Sequence, residues 1–129
     1  MRYLDIDLNL SKEDIAMQRE AHEFAKGVMR PAAEELGRLT PEKQIADDSP
    51  LWDFLKQAYQ LGYHAVIFPE EVGGMGLAPR QQAIVMEEMG WGSNGLCIQL
   101  GAAGAHALGG LMSMNPELME EFTIPFCKC

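Results

Sequence analysis

Among the adjacent carboxylates of this chain, Glu70-Glu71 and Glu87-Glu88 stand out as candidates for acid-base chemistry. Paired carboxylates can divide acid and base work when their environments hold their pKa values apart. Sequence neighbours do not face one another on a helix, so both pairs read as solvated or helix-end charges. His22, His64 and His106 are too scattered for a ligand motif, and no metal site is expected. Cys127-Lys128-Cys129 is a lone C-x-C, weak as a metal site and expected to be exposed and reactive for that reason. Gly73-Gly74-Met75-Gly76 lacks the preceding strand and the lysine of a phosphate cradle. Three glycines in four residues demand instead a tight turn in backbone conformations closed to residues with a Cβ. Cys97, Gly101, Ala105 and Gly109 recur every four residues, so they share one helical face and form a groove of small side chains. Such a groove either lets a second helix approach closely or receives a ligand, and the spacing leaves both open.

The elements that position these residues read as helices. Ser11 and Asp14 form a capping-box variant. Beyond them Met17, Ala21, Phe24, Ala25 and Val28 share one face. Pro31 cannot donate to the Gly27 carbonyl, so this helix should kink or stop near Met29. A second short helix then runs to Leu36, with Gly37 as its stop. Residues 38–48 read as a polar loop. Ser49-Pro50 restarts a helix whose inner stripe is Leu51, Phe54, Leu55, Ala58 and Leu61, ended by Gly62. Residues 63–68 are an apolar connector with no partner strand, hence extended coil. Pro79 opens a helix with Ile84, Val85, Met86 and Met89 inside and Glu87 and Glu88 nearer water. Residues 89–116 carry no formal charge. A helix there, capped by Ser93 or Asn94 and running to about Leu108, is expected to be centrally buried. Its Gly and Ala content and the polar Gln99 and His106 argue against a membrane span. Asn115-Pro116 caps a last helix, ended by Pro125. The fold class is therefore all-α, a bundle of about five or six helices around the apolar helix near 94–108.

Composition limits the partners. A net charge of −9 and a pI near 4.7 argue against nucleic acid, and no Lys or Arg lies between Arg80 and Lys128. An anionic membrane surface is disfavoured by the same charge. The amino terminus has no apolar core of signal-peptide length and is acidic. Three cysteines make no even disulfide framework. A cytoplasmic location is the expectation.

Two runs together carry a family likeness. These are Leu61-Gly62-Tyr63-His64-Ala65-Val66-Ile67-Phe68-Pro69-Glu70-Glu71-Val72-Gly73-Gly74-Met75-Gly76-Leu77 and Glu87-Glu88-Met89-Gly90. They resemble the amino-terminal helical domain of the acyl-CoA dehydrogenases. Arg30-Pro31-Ala32-Ala33-Glu34-Glu35-Leu36 looks like that domain's first-helix ending, with Gly37 where an acidic residue commonly follows. Glu117-Leu118-Met119-Glu120-Glu121-Phe122-Thr123-Ile124-Pro125 looks like the helix leading into the β domain. The likeness spans 11–126. It implies a helical domain at 11–129, which stops about where the flavin-binding β domain begins, while residues 1–10, alternating apolar and acidic, read as a short amino-terminal arm.

The resemblance implies a flavin-dependent enzyme that desaturates acyl-CoA thioesters between their α and β carbons. It places the acyl tunnel along the central helix, where the lining positions fall on Cys97, Gly101, Ala102 and Ala105. Some members put a carboxylate on the tunnel floor where Gly101 stands, so the likeness implies a deeper tunnel and a long-chain or bulky acyl group. The FAD site, the catalytic carboxylate and the tetramer contacts belong in the family to a β domain and a carboxy-terminal domain. Alone, this chain is expected to be inactive and not to hold FAD. Its implied partners are acyl-CoA, the remaining domains and further copies of the complete enzyme. A rival reading is a free-standing helical binding or interaction module, which should present a polar exterior rather than a large apolar patch.

Overall fold

A computed structural model describes residues 9–129, so residues 1–8 of the expected arm lie outside the described residues. Among the described residues every regular element is helical, as the periodicity predicts. Helix α1 (Lys12–Phe24) begins at a complete capping box. The Ser11 hydroxyl accepts from the Asp14 amide at 3.0 Å, and the Asp14 carboxylate accepts from the Ser11 amide at 3.1 Å. Helix α2 (Arg30–Leu36) ends at Gly37.

Pro31 does not stop the chain between them. A single wide turn, Ala25–Met29, carries α1 into α2 with helical dihedrals throughout, and the Arg30 amide reaches back to the Ala25 carbonyl. Widening the turn to five-residue bonds takes up the donor and the space that proline disturbs. Burial of Ala25 and Met29, both fully enclosed, holds the bulge in place.

Residues 38–48 are not all loop: helix α3 (Pro41–Gln44) forms behind Thr40, with Pro41 in its first turn. Helix α4 (Pro50–Gln60) follows Ser49, whose hydroxyl accepts from the Leu51 amide at 3.2 Å. Its Leu51, Phe54 and Ala58 are buried, but Leu61 is exposed because the helix ends one residue before it. Gly62 turns the chain at φ 78°, a conformation that disfavours any Cβ. Residues 63–65 then coil into a helical turn (Tyr63–Ala65) rather than extending, with the Ala65 amide donating to the Gly62 carbonyl and the Phe68 amide to the Ala65 carbonyl.

Helix α5 (Pro79–Ala103) bends at Ser93, whose backbone is extended and whose hydroxyl accepts from the Leu96 amide. Ser93 is thus the expected cap, but of a second half fused to the first. Helix α6 (Ala105–Met112) follows at 46°. After helix α7 (Pro116–Leu118), a second wide turn, Met119–Thr123, leads into helix α8 (Ile124–Cys127), so Pro125 does not end the helix. The device that passes Pro31 is repeated at Pro125.

α1 and its wide turn pack along α5, α4 packs on α2, and α8 packs on α6 beneath the Tyr63–Ala65 turn. The larger core joins Phe24, Met29, Phe54, Val85, Met89 and Leu100. The smaller one joins Phe68, Val72, Ala107 and Phe126. Full burial of a side chain such as Phe54 or Phe68 contributes about 2–3 kcal/mol. The central helix is not buried all round: Leu96, Cys97 and Leu100 face inward, while Ile98, Gln99, Gly101 and Ala102 face solvent. Met86 also lies outward, at 41% exposure. The described chain supplies partners for one side of α5 and none for the other.

Candidate functional site

An apolar cleft of about 100 Å³ runs between residues 63–68 and the α5–α6 bend. Gly62 and Pro69 fix the ends of the first wall, placing Tyr63, His64 and Phe68 along it. Met89, Cys97 and Leu100 line the second, and Gly101, Gly104 and Leu108 carry it past the bend. At Gly101 a Cβ would meet nothing within 4 Å. Of the four tunnel candidates, Cys97 and Gly101 line this cleft; Ala102 and Ala105 are exposed and lie outside its lining. Burial pushes the Cys97 thiol pKa up, so the cleft presents a neutral, poorly reactive sulfur.

The small-residue face does not let a second helix approach. Gly101 and Gly109 both have open space where a Cβ would stand. The close approaches use other glycines. A Cβ on Gly92 would lie 2.8 Å from the Ala25 Cβ, and one on Gly110 would lie 2.6 Å from the Thr123 hydroxyl.

A family model described as the acyl-CoA dehydrogenase amino-terminal domain matches residues 11–122. The chain belongs to that family. Among curated relatives, a "probable medium-chain specific acyl-CoA dehydrogenase 2, mitochondrial" of Caenorhabditis briggsae is 31% identical over 103 residues, 80% of this chain and 22% of the relative. An "isovaleryl-CoA dehydrogenase, mitochondrial" of Pongo abelii is 26% identical over 116 residues, 90% of this chain and 26% of the relative. The chain thus spans about a quarter of the length of these relatives. No solved structure matches it significantly.

An acyl-CoA dehydrogenase implies FAD, and the glycine turn of this domain does not fit a flavin phosphate. Its amides are spent inside the turn: Gly74 donates to Pro69, Met75 to Ala65 and Gly76 to Phe68. A Cβ on Gly74 would overlap the Phe68 carbonyl, which is why the turn is glycine-rich. The exposed Glu70 and Glu71 beside it would also repel an anion.

The other candidates go to separate places. His22 pairs with Glu88 at 2.7 Å, so Glu88 is more sheltered than its expected place toward water. The His22 ring lies on Trp91 (4.4 Å), and the Arg30 guanidinium lies 4.1 Å from the Trp91 ring. His106 meets the edge of Phe126, and His64 is buried. Among the described residues no three metal-ligating side chains converge. Cys127 is buried rather than exposed, because α8 turns it into the smaller core; Cys129 is the exposed thiol. Burial, aided by the nearby Cys129, pushes the Cys127 pKa up.

Sequence reasoning missed the wall formed by residues 63–68. Its signal was present in an apolar run fixed at both ends by Gly62 and Pro69. No single helix is long and apolar enough to cross a membrane; α5 and α6 reach that length and composition only as a bent pair.

Proposed function

We propose that this chain is the amino-terminal domain of a flavin-dependent enzyme that desaturates acyl-CoA thioesters, and that the α5 cleft is one wall of its acyl tunnel. The carrying observation is an open apolar cleft on the helix where the family likeness puts that wall, with empty space above Gly101. An alkyl chain gains about 0.8 kcal/mol for each CH₂ it buries there. Gly101 adds neither bulk nor charge to the floor, which favours a long-chain or bulky acyl group. The two relatives are named for different acyl groups, medium-chain and isovaleryl, so the choice falls to the cleft and to whatever faces it.

Exposed Ile98 (62%), Met112 (74%) and Met114 (80%) support a domain that packs against further domains, over a free-standing module with a polar exterior. The same reading makes the chain inactive alone. Purified by itself it should be colourless, and a stoichiometric yellow chromophore would overturn this.

The tunnel is tested by replacing the matching segment of the Caenorhabditis briggsae relative with residues 11–122. The chimera should carry flavin and turn over acyl-CoA. Gly101→Glu in that chimera should depress turnover of long acyl chains far more than short ones, since an unpaired carboxylate is unfavourable in an apolar site. Equal loss at all chain lengths, with a collapsed melting temperature, would refute the tunnel wall.

A further inference from the structure

His64 sits where the cleft, α4 and α8 meet, and the residue is 6% exposed. It stacks on Tyr59 of α4 at 4.2 Å and meets the edge of the Phe126 ring of α8 at 5.2 Å. Nε2 lies 3.1 Å from the Phe126 carbonyl oxygen. A carbonyl only accepts, so Nε2 carries the proton and the neutral ring leaves a lone pair on Nδ1. That Nδ1 is sealed from solvent and has no hydrogen-bond partner among the described residues. A neutral lone pair tolerates such a site; a charged N–H with no acceptor does not. Phe126 is also the ring that backs Gly104, where a Cβ would lie 3.1 Å from it, and Gly104 lines the cleft. His64 thus touches both the seat of α8 and the wall of the cleft.

We infer that His64 is a proton-operated latch: its neutral ring holds α8 against the cleft, and a proton taken up at Nδ1 keeps α8 from reseating. Solvent supplies the proton when α8 opens transiently, and no bond other than hydrogen bonds breaks.

The facing groups offer no counter-charge. Tyr59, Cys127 and Cys97 of α5 stay neutral around neutral pH because burial raises all three pKa values, with Cys129 adding to the first two. Beyond Phe126, at 5.5 Å between ring centroids, lies His106 of α6. Burial lowers the His64 pKa; the Phe126 and Cys127 carbonyls oppose the shift without reversing it. The open chain therefore binds the proton more tightly than the closed one. The latch is fully set above the ordinary histidine value of 6.5 and weakens as pH falls from there toward the lower closed-state value.

The test uses the full chain carrying Cys129→Ser, with and without His64→Gln, whose amide can still donate to Phe126 but cannot titrate. Cys127 is pulse-labelled with 4,4′-dithiodipyridine and located by mass spectrometry, and each rate is divided into that of the urea-unfolded chain at the same pH. Protection should fall by up to about tenfold per pH unit within the window below 6.5, and should stay flat in His64→Gln. No fall in the parent, or an equal fall in both chains, overturns the latch. If circular dichroism shows His64→Gln unfolded, the parent's imidazole is titrated by NMR. Coincidence of its midpoint with that of Cys127 protection supports the latch, and separation of the two refutes it.

Discussion

Gly92 and Gly101 both belong to α5, yet their surroundings are opposite. Above Gly92 the Ala25 Cβ stands 2.8 Å from where a Cβ would be, and the Ala25 backbone lies 3.1–3.2 Å away. The bulged turn of the first helix rests directly on it. Above Gly101 nothing comes within 4 Å. One glycine is small where a backbone touches it, the other where the chain leaves open space. The same division continues on α6, where Gly110 sits under Thr123 and Gly109 is open. Spacing does not separate the two roles, since within one four-residue repeat Cys97 is buried in the core while Gly101, Ala105 and Gly109 are exposed. What separates them is which side of α5 and α6 the chain itself covers.

The contrast breaks hardest on the covered side and in the glycine turn. Gly74→Ala would place a methyl on the Phe68 carbonyl, and since backbone must shift, a loss of about 3 kcal/mol or more is expected. Gly92→Val should cost about 2–3 kcal/mol by prising the Ala25–Met29 turn off α5. Urea melts at constant m-value would check both, with thermal midpoints falling by roughly 3–6 °C per kcal/mol for a chain of this size. A neutral Gly92→Val would mean that the wide turn gives way freely and that the close approach is incidental.

The parts of the fold legible in the sequence are those decided locally. Ser11, Ser49 and Asn115 cap as their side chains dictate, and Gly62 and Gly37 stop their helices. Thr40-Pro41 carries the same signal as Ser49-Pro50 and could have located α3. Pro31 marks a disturbed turn ending at Met29 and the start of α2, as expected, but Pro125 misled for a physical reason: a proline ends a helix unless burial compensates for a wider turn, and that burial comes from residues distant in sequence. Fully enclosed Met29 and Thr123 supply it here. The candidate site was half legible. Cys97 and Gly101 follow from family likeness, but the opposite wall and the buried state of His64 depend on how residues 63–68 coil.

A smaller effect is expected at the rim of the covered side, where Asp14 joins α1 to the start of α5. The Ser11 backbone N–H is the main cause of its lowered pKa; the Ser11 hydroxyl, Arg80 and Gln81 add to it, while desolvation opposes. Arg80 Nη2 lies 2.9 Å from the Asp14 carboxylate. With the folded pKa below its ordinary 3.8, this contribution is complete above that value and is lost as pH falls through the folded pKa. Asp14→Asn should therefore flatten stability below about pH 4 relative to the parent, read from melts across that range. An unchanged acid slope would show that the capping box, not the charge, fixes this corner.

The smallest expected effect decides most about the open side. Gly101→Ala and Gly109→Ala each add one methyl into empty space on a helix, at backbone positions without positive φ. Alanine narrows the unfolded ensemble and favours the helix, so each change should stabilise the isolated chain by up to about 1 kcal/mol. A glycine kept where alanine would be more stable implies that the volume itself is used. In the chimera the two should then part company. Gly101 lines the cleft and Gly109 does not, so Gly101→Ala alone should lower the turnover of bulky acyl groups while both keep their gain in melting temperature. If Gly101→Ala instead destabilised the isolated chain, space that is empty above α5 would have to be filled in solution, and the small-residue face would return to being a packing surface.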